Sequence, residues 1–200
     1  MKLYYAPGTC SLAVHIALRE AALPFELVKV DLATHTTADG RDFYSIAPRG
    51  YVPLLELTDG SRYSEAAALM QYVADLQPDR PLIGEPGTIR RLTVSQWLAF
   101  VSTELHKTFS PLWRSDTPEA TRNGAIARLN KAFAELDQLL GQQPWLAGEF
   151  SVADGYAFTV VNWAGYLKLP LDSYPQLQAY LGRVAARPAV QAALKAEGLA

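Results

Sequence analysis

The alternation of apolar and polar positions divides the chain into two parts, which meet near residue 80. In the first part, short apolar runs at Lys2–Tyr5 and Phe25–Val30 flank an amphipathic stretch at Leu12–Leu23. Periods of two, then 3.6, then two residues predict a strand, a helix and a second strand. The two strands are expected to pair in parallel through a right-handed crossover. The segment Thr58-Asp59-Gly60-Ser61 predicts a hairpin turn after a strand at Leu54–Leu57.

The rest of the first part adds a polar connection and a further helix. Residues 31–50 are rich in turn-forming side chains and predict at most one helical turn, at Asp42–Ile46. Ser64 is expected to cap a helix. Its apolar stripe is predicted at Ala66, Leu69, Met70, Val73 and Leu76. We therefore expect residues 1–80 to form a compact α/β domain.

Beyond a Pro- and Gly-rich linker at residues 81–86, only helical periods remain. The predicted buried stripes comprise Val94, Leu98, Val101 and Leu105; Ile126, Leu129, Phe133, Leu136 and Leu140; and Tyr156, Val160, Trp163 and Leu167. Two shorter helices are expected around residues 175–186 and 188–197. Ser151 and Asp154 have the spacing of a capping box, and we give them a structural role only. Trp145, Trp163 and Tyr166 are expected in the core. Residues 87–200 are thus predicted to be an all-α domain.

Composition excludes several classes of function. The 200 residues are half apolar and carry a formal net charge of −2, so no basic excess indicates nucleic acid or a membrane surface. The N-terminus enters a strand without an apolar leader, and we expect a cytoplasmic protein. A single cysteine excludes an intrachain disulfide, a Cys-rich metal site and Cys-x-x-Cys chemistry, and no metal is expected.

That one cysteine, Cys10, lies where the first helix is expected to begin, with Ser11 as its predicted cap. First-turn amides lack intrahelical partners, and the helix dipole favours negative charge there. Such a position stabilises the thiolate, which lowers the pKa of the cysteine below the value of about 8.5 for a free cysteine. Cys10 is therefore the candidate reactive group of the chain.

Two further segments of the first part have the chemistry of a peptide site. Pro53 cannot donate to a sheet, so the main chain of Tyr51 and Val52 can pair with an extended peptide; an ordinary strand-entry proline explains the same residues. Ser64, Glu65 and the amide of Ala66 can hold a ligand carboxylate and its ammonium group, although simple capping is the alternative.

In the second part, His106 shares a small and polar helix face with Ala99, Ser102 and Thr103. A lone histidine on such a face is more often structural than catalytic. Because this helix is the first one after the linker, we nevertheless expect His106 to face Cys10. There it would donate to a thiolate or relay a proton near neutral pH.

Together these residues resemble the glutathione transferases of the bacterial, cysteine-containing beta class. The resemblance rests on M-K-L-Y-Y-A-P-G-T-C-S-L-A, Y-V-P, S-E-A, T-E-L-H-K, S-V-A-D-G-Y and the C-terminal R-P-A-V-Q-A-A-L-K-A-E-G-L-A, and covers essentially the whole chain. It implies a thioredoxin-like N-terminal domain, an all-helical C-terminal domain, a homodimer and glutathione as co-substrate. A cis peptide bond before Pro53 and a role in detoxification are implied as well.

The resemblance also implies a role for individual residues. Cys10 would contact the glutathione sulfur or form a mixed disulfide with it, and Val52 would pair with the cysteinyl backbone. Glu65, Ala66 and, from the partner subunit, Glu104 would hold the γ-glutamyl end. His106 and Lys107 would lie near the thiol and the glycyl carboxylate. Apart from the resemblance, the pocket for the electrophile is expected to be formed by Tyr5, loop residues after Pro7, Phe109, Trp113 and Tyr166.

Two positions depart from the pattern of the family. His35 stands where many relatives have a lysine, which implies a weaker charge toward the glycyl carboxylate at pH 7. Ala66 stands where many have a hydroxyl side chain, which leaves only its backbone N–H for the γ-glutamyl carboxylate.

The sequence thus predicts a glutathione S-transferase that joins the glutathione thiolate to hydrophobic electrophiles, with thiol-disulfide exchange or peroxide reduction through Cys10. Two alternatives stay open. A monothiol oxidoreductase of glutaredoxin type explains Cys10 and Val52-Pro53 but gives the second half no task. A non-catalytic dimeric scaffold with this fold explains every helix without an ionised sulfur.

Overall fold

The computed structural model describes all residues, 1–200, and divides into two compact units. The sheet unit comprises Met1–Leu82 together with Arg187–Ala200, and the helical unit comprises Ile83–Ala186. The predicted linker at residues 81–86 therefore contains the boundary between the two units, which lies between Leu82 and Ile83. The last fourteen residues, however, cluster with the sheet unit rather than with the other helices, which the prediction of one helical domain at 87–200 did not include.

The sheet unit contains the predicted β-α-β unit and hairpin. Its strands are β1 (Lys2–Tyr5), β2 (Glu26–Asp31), β3 (Thr36–Thr37), β4 (Leu54–Glu56) and β5 (Arg62–Ser64), in the sheet order β3-β2-β1-β4-β5. β1 and β2 are parallel, and all other pairs are antiparallel. The short strand β3 was not predicted, because two threonines carry no periodic signal. The predicted helical turn is a 3₁₀ turn at Phe43–Ser45, capped by the Asp42 side chain.

Three helices accompany the sheet: α1 (Ser11–Glu20), α2 (Ala66–Asp75) and the C-terminal α9 (Pro188–Glu197). α1 packs against both α2 and α9. The predicted stripe of α2 is buried from Ala66 to Val73, whereas Leu76, just after the helix end, is 39% exposed. Arg187, just before α9, forms a two-point ion pair with Glu20 at 2.6 and 2.8 Å, which fastens the C-terminal segment to the end of α1.

The helical unit is built on one interrupted helix and four others. The interrupted helix runs through α3 (Ile89–Phe100), a π-helical turn (Val101–His106), α4 (Lys107–Phe109) and a 3₁₀ turn (Ser110–Trp113). The others are α5 (Glu119–Leu140), α6 (Val152–Val161), α7 (Trp163–Tyr166) and α8 (Pro175–Ala185). Of the predicted stripes, Ile126 and Leu167 are only half-buried and the others are buried. None of the helices in the chain has the length and apolar composition that crossing a membrane requires.

A capping box begins α6, as the sequence predicts. The Asp154 carboxylate accepts hydrogen bonds from the Ser151 amide and hydroxyl and from the Leu146 amide. The Tyr180 hydroxyl of α8 donates to the same carboxylate at 3.0 Å. Burial raises the pKa of the Asp154 carboxyl, while these hydrogen bonds act in the opposite direction. Asp154 therefore joins α6, α8 and the loop before α6.

Candidate functional site

Cys10 is itself the N-cap residue of α1, which corrects the expectation that Ser11 caps this helix. Ser11 is fully buried, and its hydroxyl turns back to the main chain of Ala6. The Thr9 hydroxyl bonds to the same Ala6 carbonyl at 2.9 Å and to the Ser11 hydroxyl at 2.8 Å. The turn before Cys10 is thus stabilised by two hydroxyl groups, while the Cys10 side chain remains partly exposed at the helix N-terminus.

The Cys10 thiol has a specific partner in the loop before β4. Sγ donates to the main-chain carbonyl oxygen of Val52 at 3.3 Å. The peptide bond between Val52 and Pro53 is cis, and the neighbouring Tyr51 side chain is 70% exposed. The Val52 carbonyl, which the sequence analysis assigned to pairing with a peptide, therefore already accepts a hydrogen bond from the candidate nucleophile.

Glu65, and not Ser64, is the N-cap residue of α2. Ser64 instead ends β5, where it pairs with Leu54. Glu65 has a positive φ of 71°, which is uncommon for a residue with a side chain, and its carbonyl accepts the amides of Ala68 and Leu69. Its carboxylate is exposed and lies 3.4 Å from Arg49. The amides of Ala66 and Ala67, the first two of α2, therefore have no partner within the helix, next to the exposed side chain of Glu65.

His35 also has a positive φ, of 51°, and its ring stacks on that of Tyr44 with centroids 4.4 Å apart. Nδ1 of His35 is buried without a hydrogen-bond partner. Gly50 lies against this pair: a Cβ there would come within 2.6 Å of Tyr44 and 2.9 Å of the His35 ring. His35 is thus held as part of an aromatic stack, unlike a flexible lysine.

A buried acid–histidine pair supports the Cys10 loop from α9. Nδ1 of His15 lies 2.8 Å from Glu197, and Nε of Arg19 donates to the other ring nitrogen at 2.8 Å. The second oxygen of Glu197 accepts the Gly8 amide at 3.0 Å, two residues before Cys10. The side chains of His15 and Glu197 are fully buried. Burial, with Glu197 as a second cause, raises the pKa of the neighbouring Tyr5 hydroxyl, so Tyr5 stays protonated. Sequence reasoning missed this network, because nothing local links residues 182 positions apart.

In the helical unit, Glu104 and His106 lie in the π-helical turn, and Lys107 is the first residue of α4. A π turn adds a residue to a helix and is frequent at functional sites. His106 is half-buried, with Nδ1 2.7 Å from the Tyr156 hydroxyl of α6. Burial, together with the charge of Lys107, lowers the pKa of His106 to about 4. The ring is therefore neutral at pH 7. Glu104 and Lys107 are exposed.

Aromatic rings surround Trp163 in the same unit. The rings of His106, Phe109 and Trp113 meet it edge-on at 4.9, 5.7 and 5.9 Å between centroids. Phe109 is fully buried and, as placed, presents no surface to a ligand. Trp113 and Tyr166 are 49% and 60% exposed. The expectation that Tyr166 belongs to the core is therefore wrong. The exposed aromatic surface of this unit therefore comes from Trp113 and Tyr166.

The arrangement of the sheet unit defines a class. A β-α-β unit is followed by a β-hairpin and a helix, with a cysteine at the N-terminus of α1 and a cis proline directly before β4. This arrangement is that of a thioredoxin-like thiol-binding domain. No three His, Cys, Asp or Glu side chains are grouped so as to hold a metal ion.

Comparisons with known proteins place the chain within this class. Residues 8–76 match the model of the glutathione S-transferase N-terminal domain, and residues 119–183 match that of the C-terminal domain. The chain is 45% identical to glutathione S-transferase GstA of Escherichia coli O157:H7 over the full length of both proteins.

Solved structures of glutathione S-transferases also resemble this chain. A sphingomonad glutathione S-transferase complexed with glutathione and a bacterial beta-class glutathione S-transferase from Sphingomonas chungbukensis each share 42% identity with the chain. Each superposes with a TM-score of 0.95, with full coverage of both chains. The chain belongs to the glutathione S-transferase family, with the bacterial beta class among its close structural relatives.

Proposed function

We propose that this protein is a glutathione transferase that joins the glutathione thiolate to hydrophobic electrophiles. The observation that carries the proposal is the position of the Cys10 sulfur. Cys10 lies at the N-terminus of α1, and its sulfur is 3.3 Å from the Val52 carbonyl oxygen. In this proposal the cysteinyl backbone of glutathione pairs with the main chain of Val52, which brings its thiol beside Cys10.

The two ends of glutathione are assigned to separate groups. The γ-glutamyl carboxylate is received by the Ala66 amide and the Ser64 hydroxyl, and the γ-glutamyl ammonium by Glu65, because a helix N-terminus favours an anion. Glu104 of a second copy is proposed to approach the same ammonium. His35 and Lys107 are assigned to the glycyl carboxylate, and Tyr51 and Pro53 to shaping the strand edge beside the tripeptide.

The proposed chemistry requires the glutathione thiol to ionise near pH 7. Lowering a thiol pKa by two units takes about 2.7 kcal/mol of preferential stabilisation of the anion. A helix N-terminus supplies roughly 0.3–2 kcal/mol, and one hydrogen bond to a charged group about 1.5–3 kcal/mol. The α1 N-terminus and a donor such as His106 are together sufficient, so the mechanism needs no metal.

Cys10 gives the protein a second proposed reaction. Its thiolate attacks one sulfur of glutathione disulfide, forms a mixed disulfide with that half and releases the other half as a glutathione thiolate. A second glutathione thiolate then attacks the mixed disulfide, regenerates Cys10 and carries away glutathione disulfide. A thiol used in this way suits a reducing compartment, and we place the protein in the cytoplasm.

The electrophile and the oligomer are assigned from exposed apolar side chains. Trp113 and Tyr166 favour flat, apolar co-substrates, since aromatic rings stack on aromatic surfaces. Tyr5, which the sequence assigned to the same pocket, is buried, with only 7% of its surface exposed. Ile89 and Leu92, one turn apart on α3, are 77% and 64% exposed, which supports a homodimer through this face. Sedimentation of the wild type against an Ile89→Asp variant tests the dimer; a monomeric wild type contradicts it.

Three assays separate the proposal from its rivals: retention on immobilised glutathione, conjugation of glutathione to a chloronitrobenzene, and labelling of Cys10 by iodoacetamide as a function of pH. A transferase is expected to be retained on immobilised glutathione and to conjugate glutathione to the chloronitrobenzene. A glutaredoxin-like oxidoreductase exchanges disulfides strongly but does not conjugate. A scaffold is not retained and labels like a free thiol.

A further inference from the structure

The His106 ring has one hydrogen bond within the chain, and it lies in the interior of the helical unit. Nδ1 is 2.7 Å from the hydroxyl of Tyr156, a side chain of α6 that is almost completely buried. The edge-on contacts of the ring with Tyr156 and Trp163, at 5.9 and 4.9 Å between centroids, restrict its rotation. Both the orientation of the ring and the partner of Nδ1 are therefore determined by α6 and α7.

A neutral imidazole carries its proton on only one nitrogen, and the hydrogen bond of the other nitrogen decides which one. His106 is neutral at pH 7, because burial and Lys107 lower its pKa to about 4. A phenol is a good proton donor, and the unprotonated imidazole nitrogen is a good acceptor. The stronger arrangement of the short contact with Tyr156 is an O–H···N bond to Nδ1, and in that arrangement the ring proton lies on Nε2.

We propose that Tyr156 is a positioning residue that holds His106 in the Nε2–H tautomer, so that His106 serves as a hydrogen-bond donor to the glutathione thiolate and not as a base. This inference rests on the proposed function, which assigns His106 to the thiol. It selects between the two tasks that the sequence left open, because a nitrogen that already carries its proton cannot remove one from a thiol.

The tautomer can be measured without substrate. The chain has three histidines, so a long-range ¹H–¹⁵N spectrum of the labelled protein contains three imidazole patterns, and a His106→Gln variant identifies one of them. We expect Nδ1 of His106 to be unprotonated and Nε2 to be protonated. Tyr156→Phe removes only the hydroxyl and is expected to mix the two tautomers. A protonated Nδ1 in the wild type, or an unchanged pattern in Tyr156→Phe, overturns the proposal.

A matched control distinguishes the hydroxyl of Tyr156 from buried hydroxyls in general. Tyr180 is another buried tyrosine of the same unit, and its hydroxyl donates to Asp154. Tyr180→Phe is expected to leave the His106 pattern unchanged. If both phenylalanine variants alter the pattern equally, the effect is a general loosening of the unit and the proposal is wrong.

Kinetics then test the consequence for glutathione. Tyr156→Phe is expected to lower kcat/KM for conjugation about two- to tenfold, the effect of one lost hydrogen bond. In a His106→Gln background the same change should have no effect, because the residue through which it acts is absent. An equal loss in both backgrounds contradicts the proposal.

The choice of substitution at His106 adds a further test. Gln places an amide N–H near the position of Nε2, whereas Asn places its amide near Nδ1. Donor chemistry predicts that His106→Gln keeps more activity than His106→Asn, whereas base chemistry predicts that both lose it equally. Full activity in both variants overturns the task assigned to His106 and this proposal with it. Failure of the wild type to bind glutathione overturns the proposed function alone, while the tautomer measurement still stands.

Discussion

The sulfur of Cys10 and the main-chain carbonyl oxygen of Val52 lie 3.3 Å apart, although 42 residues separate them in the chain. The thiol donates to this carbonyl, and the proposed site uses the main chain of the same residue to pair with glutathione. Candidate nucleophile and peptide-binding edge are therefore adjacent within the sheet unit, independently of any other part of the chain.

Substitution of Cys10 separates the two proposed reactions. Cys10→Ala is expected to abolish exchange with glutathione disulfide, since no mixed disulfide can form. Conjugation should fall by no more than about tenfold, because the α1 N-terminus still stabilises the glutathione thiolate. Cys10→Ser, which keeps a donor to Val52, is the matched control and should conjugate at least as well as Cys10→Ala. Full exchange activity in Cys10→Ala rules out the redox role.

Glu197→Gln tests the buried network under the Cys10 loop. Glutamine has one acceptor oxygen in place of two, so either His15 or the Gly8 amide loses its partner. We expect the free energy of unfolding to fall by about 1–3 kcal/mol, measured by urea denaturation. Glu149→Gln, in an exposed ion pair with Arg90, should change it by less than about 1 kcal/mol. Equal effects of the two changes would mean that the network does not stabilise the fold.

Much of the sheet unit follows from local sequence signals. The turn residues Thr58–Ser61 specify the hairpin between β4 and β5, and strand periodicity on either side of α1 specifies the parallel pair. Helix starts were less predictable. Ser11 and Ser64 have good capping side chains, but Ser11 bonds to Ala6 instead and Ser64 remains in the sheet. The competing partner is local at Ser11, the main chain of Ala6, and is the neighbouring strand β4 at Ser64.

Long-range features were not accessible from the sequence. The π turn that contains His106 could not be predicted, because Val101 and Leu105 within it continue the apolar stripe of α3 at ordinary helical spacing. The packing of α9 against α1 depends on partners at the two ends of the chain, such as Arg187 with Glu20. Cys10, Val52 and Glu65 could be selected from the sequence because each lies beside a local signal, an expected helix start or a proline, although the cap residue of each helix was misplaced by one position.

The lowered pKa of His106 predicts a pH dependence of stability. An unfolded histidine has a pKa near 6.5 and binds a proton below it, whereas folded His106 stays neutral down to about pH 4. The unfolded state therefore binds more protons between these values, and the stability contributed by this group falls as the pH is lowered from 6.5 to 4.

Urea denaturation at pH 7 and pH 5 measures this dependence. Between these values the wild type should lose about 2 kcal/mol more than His106→Gln, which cannot take up the proton. If the two proteins lose equal stability, His106 titrates alike in the folded and unfolded states.

Asp154→Ala tests the capping box of α6. The change leaves the Leu146 and Ser151 amides without their acceptor in the interior, and leaves the Tyr180 hydroxyl only the main-chain carbonyl of residue 154, at 3.3 Å. We expect a loss of about 3–5 kcal/mol in the free energy of unfolding. Asp116→Ala, at an exposed pair with Arg114, should change it by less than about 1 kcal/mol. A loss below 1 kcal/mol at Asp154 would contradict the role assigned to it.

The central claim is that glutathione lies along Val52 with its sulfur beside Cys10. A crystal structure of the protein soaked with glutathione measures this most directly. The account predicts that the cysteinyl N–H and C=O pair with the main chain of Val52, that the γ-glutamyl end reaches the N-terminus of α2, and that the two sulfurs are neighbours. Glutathione bound elsewhere, or along Val52 with its thiol directed away from Cys10, would contradict it.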